Sequence, residues 1–222
     1  MLRQCILTFV IISGVVPNMI GEQTASVRLP KPARTSSVSL EQTLHHRRSI
    51  REYKTDEPLS LQEVSQLLWA AQGVTSDDGL RTAPSAGALY PLEVYVVAGN
   101  VRNLQPGIYH YRPREHELVR VATGDKRREL SRAALDQEQV RDAPAVIAFS
   151  AVFERTTGKY RERGRRYVHI EVGHASQNVL LQAVSLGLGA VPVGAFSDEE
   201  VKKVMSLPEE EEPMYLMPIG RR

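Results

Sequence analysis

The spacing of apolar and polar residues along the chain predicts helices at four places. A serine followed three positions later by a carboxylate or amide side chain marks a helix start, and this signal occurs three times. The predicted helices cover residues 40–47, 61–72 and 198–205. A fourth segment, Tyr167–Leu186, is apolar on nearly all sides at helical spacing, so it predicts a central and closely packed helix.

Runs of β-branched and other apolar residues bounded by turn residues predict the strands. The predicted strands are Leu92–Ala98, Ile108–Tyr111, Leu118–Ala122, Ala145–Val152, Ala190–Gly194 and Pro213–Gly220. Because helices and strands are mixed without a regular β-α-β alternation, the pattern favours an α+β layered domain.

The first forty residues differ from the rest of the chain. One early positive charge precedes about a dozen apolar residues, which is typical of a secretory signal peptide and too short for a membrane span. We therefore interpret 1–21 as a signal peptide, 22–38 as a linker and 39–222 as the working domain. Export to the periplasm or medium follows from this interpretation. The alternatives are a buried first strand or a mis-assigned start codon, with a cytoplasmic protein.

Composition excludes several kinds of site. The 222 residues carry a net charge of +2, too balanced to indicate nucleic-acid or membrane binding. The single cysteine, Cys5, excludes a disulfide within the chain and a four-cysteine zinc site. The six histidines show no metal-ligand spacing, and no serine lies in a nucleophile elbow. We therefore expect no metal and no nucleophilic catalysis.

Two segments contain residues suited to binding a phosphorylated, flat ligand. The segment 47–51 reads Arg-Arg-Ser-Ile-Arg and could direct two guanidinium groups and a hydroxyl at one phosphate, or it could be a solvated basic helix end. The segment 84–91 reads Pro-Ser-Ala-Gly-Ala-Leu-Tyr-Pro, whose small side chains would let its backbone approach a ligand, or would simply form a tight turn.

Four motifs and the C-terminus, taken together in order, resemble the nitroreductase superfamily, and more closely its SagB-type dehydrogenase branch. They are the two segments above, Gly-His-Ala-Ser-Gln-Asn at 173–178, Gly-Leu-Gly-Ala-Val-Pro-Val-Gly-Ala-Phe at 187–196, and Pro-Ile-Gly-Arg at 218–221. The resemblance implies a central, mostly antiparallel sheet flanked by helices, in a homodimer with flavin mononucleotide (FMN) bound non-covalently at the interface. It also implies ping-pong hydride transfer from NADH or NADPH to a small nitroaromatic, quinone or enone.

The resemblance further assigns residues to the phosphate end of the flavin. Arg47 and Arg221 would hold the phosphate, Ser49 the ribityl and phosphate region, and Arg51 the pyrimidine edge of the ring. Arg48 belongs to the same motif and is included among the cofactor-binding residues.

A second set of residues would contact the flavin ring. Pro84, Ser85, Ala86 and Gly87 would come from the partner subunit, while Pro192, Val193 and Gly194 would lie against the ring, with the Gly194 N–H near flavin N5. Ala88 stands where other members of the superfamily have an asparagine.

The basic stretch 154–166 contains a Lys-Tyr pair, Lys159 and Tyr160. The many charged residues of this stretch favour a solvated loop, which would act as a lid that binds anionic substrate. In azoline oxidases of the SagB-type branch, which act on modified peptides, a Lys-Tyr pair assists proton removal, so Lys159 and Tyr160 are the candidate catalytic residues. A non-catalytic flavin-binding module remains a further alternative, as does an anion- or nucleic-acid-binding role of the basic stretch.

Overall fold

A seven-stranded sheet forms the centre of the fold. The computed structural model describes residues 26–222. Within that range the strand order is β1-β6-β5-β3-β7-β9-β8, and every neighbouring pair in this sheet is antiparallel. The strands are β1 (Ser26–Arg28), β3 (Leu92–Ala98), β5 (Gly107–Arg112), β6 (Glu117–Thr123), β7 (Ala145–Ala151), β8 (Leu188–Ala190) and β9 (Glu212–Arg221). Two short strands, β2 (Leu59–Ser60) and β4 (Val101–Arg102), pair in parallel outside it.

Helices cover both faces of this sheet. They are α1 (Leu40–His46), α2 (Leu61–Gln72), α3 (Arg127–Ala133), α4 (Glu138–Asp142), α5 (Glu154–Tyr160), α6 (Arg163–Ser185) and α7 (Asp198–Met205). Alternate residues of each strand face opposite sides, so β3 directs Val94 and Val96 toward α2 and α6 and directs Tyr95 and Val97 toward α3, α4 and α7. The predicted α+β layered fold with a mostly antiparallel sheet is confirmed.

Part of the predicted linker is structured. Ser26–Arg28 pair with β6 as an edge strand, and Leu29 is buried in the core. The segment 22–38 is rich in polar residues and proline, so its pattern does not predict a strand that is only three residues long. Residues 1–21, interpreted as a signal peptide, and 22–25 lie outside the described residues.

The basic stretch 154–166 is helical rather than a loop, while its six basic residues are exposed, as predicted. It forms α5 and the first turn of α6. Two of its arginines also contact the domain: Arg165 lies over the Phe153 ring at 4.4 Å, and Arg155 forms an ion pair with Glu93. The loop prediction is wrong because a high density of charge indicates solvated side chains but does not exclude a helical backbone.

Two further boundaries differ from the prediction. The strand expected over Ala190–Gly194 lies earlier, at Leu188–Ala190, and the residues after it form a loop. Helix α6, expected to be packed on all sides, leaves one face open, where Ile170 is 48% exposed. None of the helices in the described range is long and apolar enough to cross a membrane.

Candidate functional site

The arginine motif extends the edge of the sheet beside β8. Ser49 forms a parallel bridge with Ala190, and the Ile50 N–H donates to the Ala190 carbonyl at 3.0 Å. Ile50 lies so close to Gly189 that an added β-carbon there would be 2.6 Å from Ile50 Cγ2. A glycine is therefore required at 189 for this approach, which places the motif next to the loop 191–194.

A half-buried tyrosine, Tyr53, joins this segment to the end of the chain. The Tyr53 hydroxyl lies 2.7 Å from the Ile50 carbonyl and 3.0 Å from that of Pro218, and it donates to this pair. Burial raises the pKa of Tyr53, against a lowering effect from Arg51, so the hydroxyl keeps its proton. The Lys54 N–H donates to the Arg221 carbonyl at 3.1 Å. The first and last predicted motifs thus meet at one edge of the sheet.

The three arginines of the first motif have different surroundings. Arg47 is half-buried and Arg51 is exposed, and neither forms an ion pair with a carboxylate in the described part of the chain. Arg48 instead donates from Nη1 to the carbonyls of His45 and Arg47, at 3.0 and 2.7 Å. Arg48 therefore satisfies the carbonyl groups at the end of α1. Arg47 and Arg51 remain available for an anion.

Arg221 is engaged by a carboxylate. Its Nη1 and Nη2 lie 2.8 and 3.0 Å from the two oxygens of Glu63, a bidentate pair. Glu63 also accepts from the Ser60 N–H at 2.8 Å, as part of the capping box of α2. Binding of a phosphate by Arg221, as predicted, would require its guanidinium to leave Glu63.

The loop after β8 is held by β9. Val193 exchanges two backbone hydrogen bonds with Leu216, at 2.7 and 3.0 Å. Pro192 is half-buried and Gly194 is exposed. A β-carbon at Gly194 would lie 3.1 Å from the Tyr215 ring, so a larger residue would displace that ring. A fixed loop ending in an exposed glycine can present its backbone to a flat ligand.

The segment 84–90 forms a tight turn with three residues in the left-handed region. Gly87 has φ +64°, and Ala88 and Tyr90 have φ +53° and +46°. The Ser85 hydroxyl accepts from the Tyr90 N–H at 2.9 Å, and the Ser85 carbonyl accepts from the Ala88 N–H at 3.1 Å. These bonds hold the turn in a conformation that is unfavourable for Ala88 and Tyr90.

The candidate catalytic pair lies directly against this turn. A β-carbon on Gly87 would be 2.9 Å from the Tyr160 hydroxyl and 3.0 Å from Lys159 Nζ. The Tyr160 ring is in turn supported by the edge of Tyr167, at 5.2 Å between ring centroids. The structure therefore brings the predicted ring-contacting turn and the predicted Lys-Tyr pair into one cluster.

Sequence reasoning missed several charged groups around the turn 84–90 and the Lys-Tyr pair. Arg155 joins Glu93 to the Tyr90 carbonyl, and Arg81 lies 4.4 Å over the Tyr90 ring. Glu171 of α6 is 3% exposed, and its Oε1 has no hydrogen-bond partner in the described part of the chain. A signal was present in two cases, because Glu93 interrupts an apolar strand and Glu171 interrupts an apolar helix.

Burial makes the Glu171 carboxyl group a weaker acid than an exposed one. It raises the pKa of this carboxyl to about 7, although hydrogen bonding from Ser85 and the charge of Arg81 act in the opposite direction. Glu171 is therefore neutral in mildly acidic solution and partly ionised near neutral pH.

The residues thus form two separate clusters within one chain. The edge cluster contains Arg47–Arg51 and the loop 191–194, and the turn cluster contains 84–90 with Lys159 and Tyr160. No hydrogen bond or ion pair joins them over residues 26–222. In the same range, no group of three histidine, cysteine, aspartate or glutamate residues could hold a metal ion.

Comparison with known proteins identifies the family. A family model described as the Nitroreductase family matches residues 44–221, a range that includes both clusters. The chain belongs to the nitroreductase family. The family is one of oxidoreductases, so the fold and the general class of chemistry agree with the resemblance seen in the sequence.

Individual nitroreductase relatives match over different shares of their length. MJ1384, a candidate nitroreductase of Methanocaldococcus jannaschii, is 47% identical over 199 residues, which are 90% of this chain and 98% of the relative. The microcin B17-processing protein McbC of Escherichia coli is 34% identical over 157 residues, covering 67% of this chain and 57% of McbC. A crystal structure of a candidate nitroreductase from Ralstonia eutropha superposes with a TM-score of 0.77 at 32% identity, covering 97% of this chain and 98% of that one.

Proposed function

We propose that this nitroreductase-family protein is an FMN-dependent oxidoreductase that reduces a small nitroaromatic, quinone or enone. The observation that carries the proposal is the edge cluster. There, two guanidinium groups that pair with no carboxylate of residues 26–222, a serine hydroxyl and a loop with an exposed glycine share one edge of the sheet.

The residues present fit FMN. Arg47 and Ser49 supply charge-assisted and neutral donors for a phosphate and a ribityl chain. Arg51 supplies positive charge for the pyrimidine edge, where negative charge develops on reduction. Pro192 and Gly194 lie at the surface and supply an apolar ring and a backbone N–H for the flavin ring, while the buried Val193 between them fixes the loop to β9. When bound, FMN supplies two-electron transfer chemistry, and the residues of the edge cluster bind and orient it.

We further propose that the site is completed by a second copy of the chain. The edge cluster and the turn cluster are separate within one chain, which is expected if each site combines the edge cluster of one subunit with Pro84, Ser85, Ala86 and Gly87 of the other. Three large apolar side chains on α1 and α6 are exposed: Leu40 (60%), Leu44 (53%) and Ile170 (48%). Burial of such exposed apolar residues by a second copy would stabilise a subunit interface.

The test of this function uses the purified chain. FMN-loaded protein is mixed anaerobically with NADH or NADPH, and loss of the oxidised-flavin absorbance is followed before acceptors are added. We expect reduction by a nicotinamide and reoxidation by a nitroaromatic, quinone or enone. A protein that binds FMN but is neither reduced nor reoxidised would be a flavin-binding module, and one that does not bind FMN would refute the proposal.

A second candidate function is oxidation of azoline rings in a modified peptide. The contact of Lys159 and Tyr160 with Gly87 favours it, because this contact places a basic amine and a phenol beside the proposed flavin-contacting turn. The similarity to McbC, a microcin B17-processing protein, also supports this second candidate function. Flavin reduction by an azoline peptide without nicotinamide would favour this function over the first. Export of the protein stays a prediction.

A further inference from the structure

One arginine links three parts of the turn cluster. Arg155, on the first turn of α5, donates from Nη2 to Glu93 Oε1 at 2.6 Å and from Nη1 to the Tyr90 carbonyl at 3.1 Å. The guanidinium therefore connects β3, which carries Glu93, with the turn that ends at Tyr90 and with the helix that carries Lys159 and Tyr160.

The Tyr90 end of the turn is held by contacts from three different side chains. Its φ of +46° is unfavourable for a residue with a side chain, so external bonds must hold it. Those bonds are the Ser85 hydroxyl on its N–H, Arg155 on its carbonyl and Arg81 over its ring. Only Arg155 also belongs to the helix that contacts Gly87.

Glu93 orients this arginine. Its other oxygen, Oε2, lies 2.7 Å from His110 Nε2, so both carboxylate oxygens have a partner. Burial acts to raise the pKa of Glu93, but the hydrogen bond from His110 and the charge of Arg155 outweigh it and lower the pKa below its ordinary value. The carboxylate is thus ionised at neutral pH. The other charged groups nearby are Arg81 and Glu211.

We propose that Glu93 and Arg155 are positioning residues that set the placement of Lys159 and Tyr160 against the turn 84–90. This inference rests on the proposed function, in which that turn contacts the flavin ring. Loss of either residue removes the ion pair that holds α5 to β3 beside Tyr90, so the amine and the phenol shift relative to the ring surface while the edge cluster proposed to bind FMN is left intact. A misplacement of this kind slows a proton or hydride step more than it weakens binding.

The kinetic test compares Glu93→Gln and Arg155→Gln with the wild-type enzyme. We expect kcat to fall about tenfold or more with KM changed about threefold or less, and with FMN occupancy unchanged. Arg155→Lys, which can reach one partner but not both, should recover part of the activity. Glu210→Gln and Arg128→Gln make the same charge changes at exposed positions and should behave as wild type.

Coupling to the Lys-Tyr pair separates positioning from a general structural effect. In a background that carries both Lys159→Ala and Tyr160→Phe, Arg155→Gln should cause no further loss of kcat, because both residues through which it acts are already altered. Fully additive losses would overturn the inference. So would wild-type kcat in both single variants.

A readout without turnover separates this inference from the proposed function. Hydrogen–deuterium exchange should increase in the peptides covering 84–90 and 154–160 of both single variants, and stay unchanged in those covering 47–51 and 188–194. Unchanged exchange in the first two peptides would overturn the inference even in an active flavoenzyme. Increased exchange in a protein that binds no FMN would retain the positioning role and reject the function.

Discussion

Small numbers of side chains determine what the edge cluster can bind. Arg47 and Arg51 share a short extended segment with Ser49, and their guanidinium groups are free of carboxylates in the part of the chain the structure describes. Arg48 and Arg221 look equivalent in sequence but are engaged elsewhere, by helix carbonyls and by Glu63. The spacing of arginines alone cannot make this distinction, because it depends on neighbours that are distant in sequence.

Replacement of Arg47 tests the proposed phosphate contact. Arg47→Ala should weaken FMN binding by about 1.5–3 kcal/mol, the usual worth of a hydrogen bond to a charged group. Fluorescence titration of the apoprotein with FMN measures this change. Arg128→Ala, which removes an exposed arginine of α3, serves as the matched control and should bind as wild type. Equal affinities in all three proteins would reject the assignment.

Replacement of Gly87 tests the contact with Lys159 and Tyr160. Both Gly87 and Gly124 have positive φ, +64° and +82°, but only a β-carbon at 87 meets neighbours. Each alanine variant should therefore lose about 1 kcal/mol of stability in urea denaturation from backbone strain. Gly87→Ala should in addition lower kcat, whereas Gly124→Ala should not. Identical kcat values in the two variants would argue against a functional contact at Gly87.

The helices differ in how well their boundaries can be predicted from the sequence. Helices α1, α2 and α7 begin at serines that cap them, and these three were predicted within about one residue. Helices α3, α4 and α5 have no side-chain hydrogen bond at the N-cap, and none of them was predicted. Such short helices are stabilised by tertiary contacts, which local sequence does not reveal.

The candidate site likewise contains local features that the sequence predicts and long-range contacts that it does not. The motifs could be found in sequence because they are compact, and their order pointed to the family. The links between elements could not be found, since Glu93 and Arg155, or Glu63 and Arg221, are joined only after the sheet and helices assemble.

Helix α6 contains a group whose ionisation makes stability depend on pH. The pKa of Glu171 is about 7 in the folded chain, against 4.5 ordinarily, so the unfolded state releases this proton first as pH rises. Stability should therefore decrease between about pH 4.5 and 7 and then level off. Glu171→Gln removes the titration and should flatten this part of the profile, by about 1–3 kcal/mol. Urea denaturation at pH 5 and pH 7.5 measures the difference, and parallel profiles would contradict it.

At the scale of the whole molecule, the proposed second copy would bind at the open face of α6 and the exposed leucines of α1. Ile170→Asp should shift the protein from dimer to monomer in sedimentation velocity and reduce FMN binding, because it places a charge in a desolvated interface. The matched control is Leu135→Asp, which adds the same charge at an exposed residue beside α3, on the opposite face of the sheet. A dimer that persists in Ile170→Asp would place the interface elsewhere.

A crystal structure of the protein with FMN would show whether the arginine segment beside β8 and the loop after β8 hold one flavin, as proposed. The phosphate should contact Arg47 and Ser49, and the ring should lie against Pro192–Gly194 with its other face toward residues 84–87 of a second chain. A flavin bound away from Arg47 and Gly194 would contradict the account.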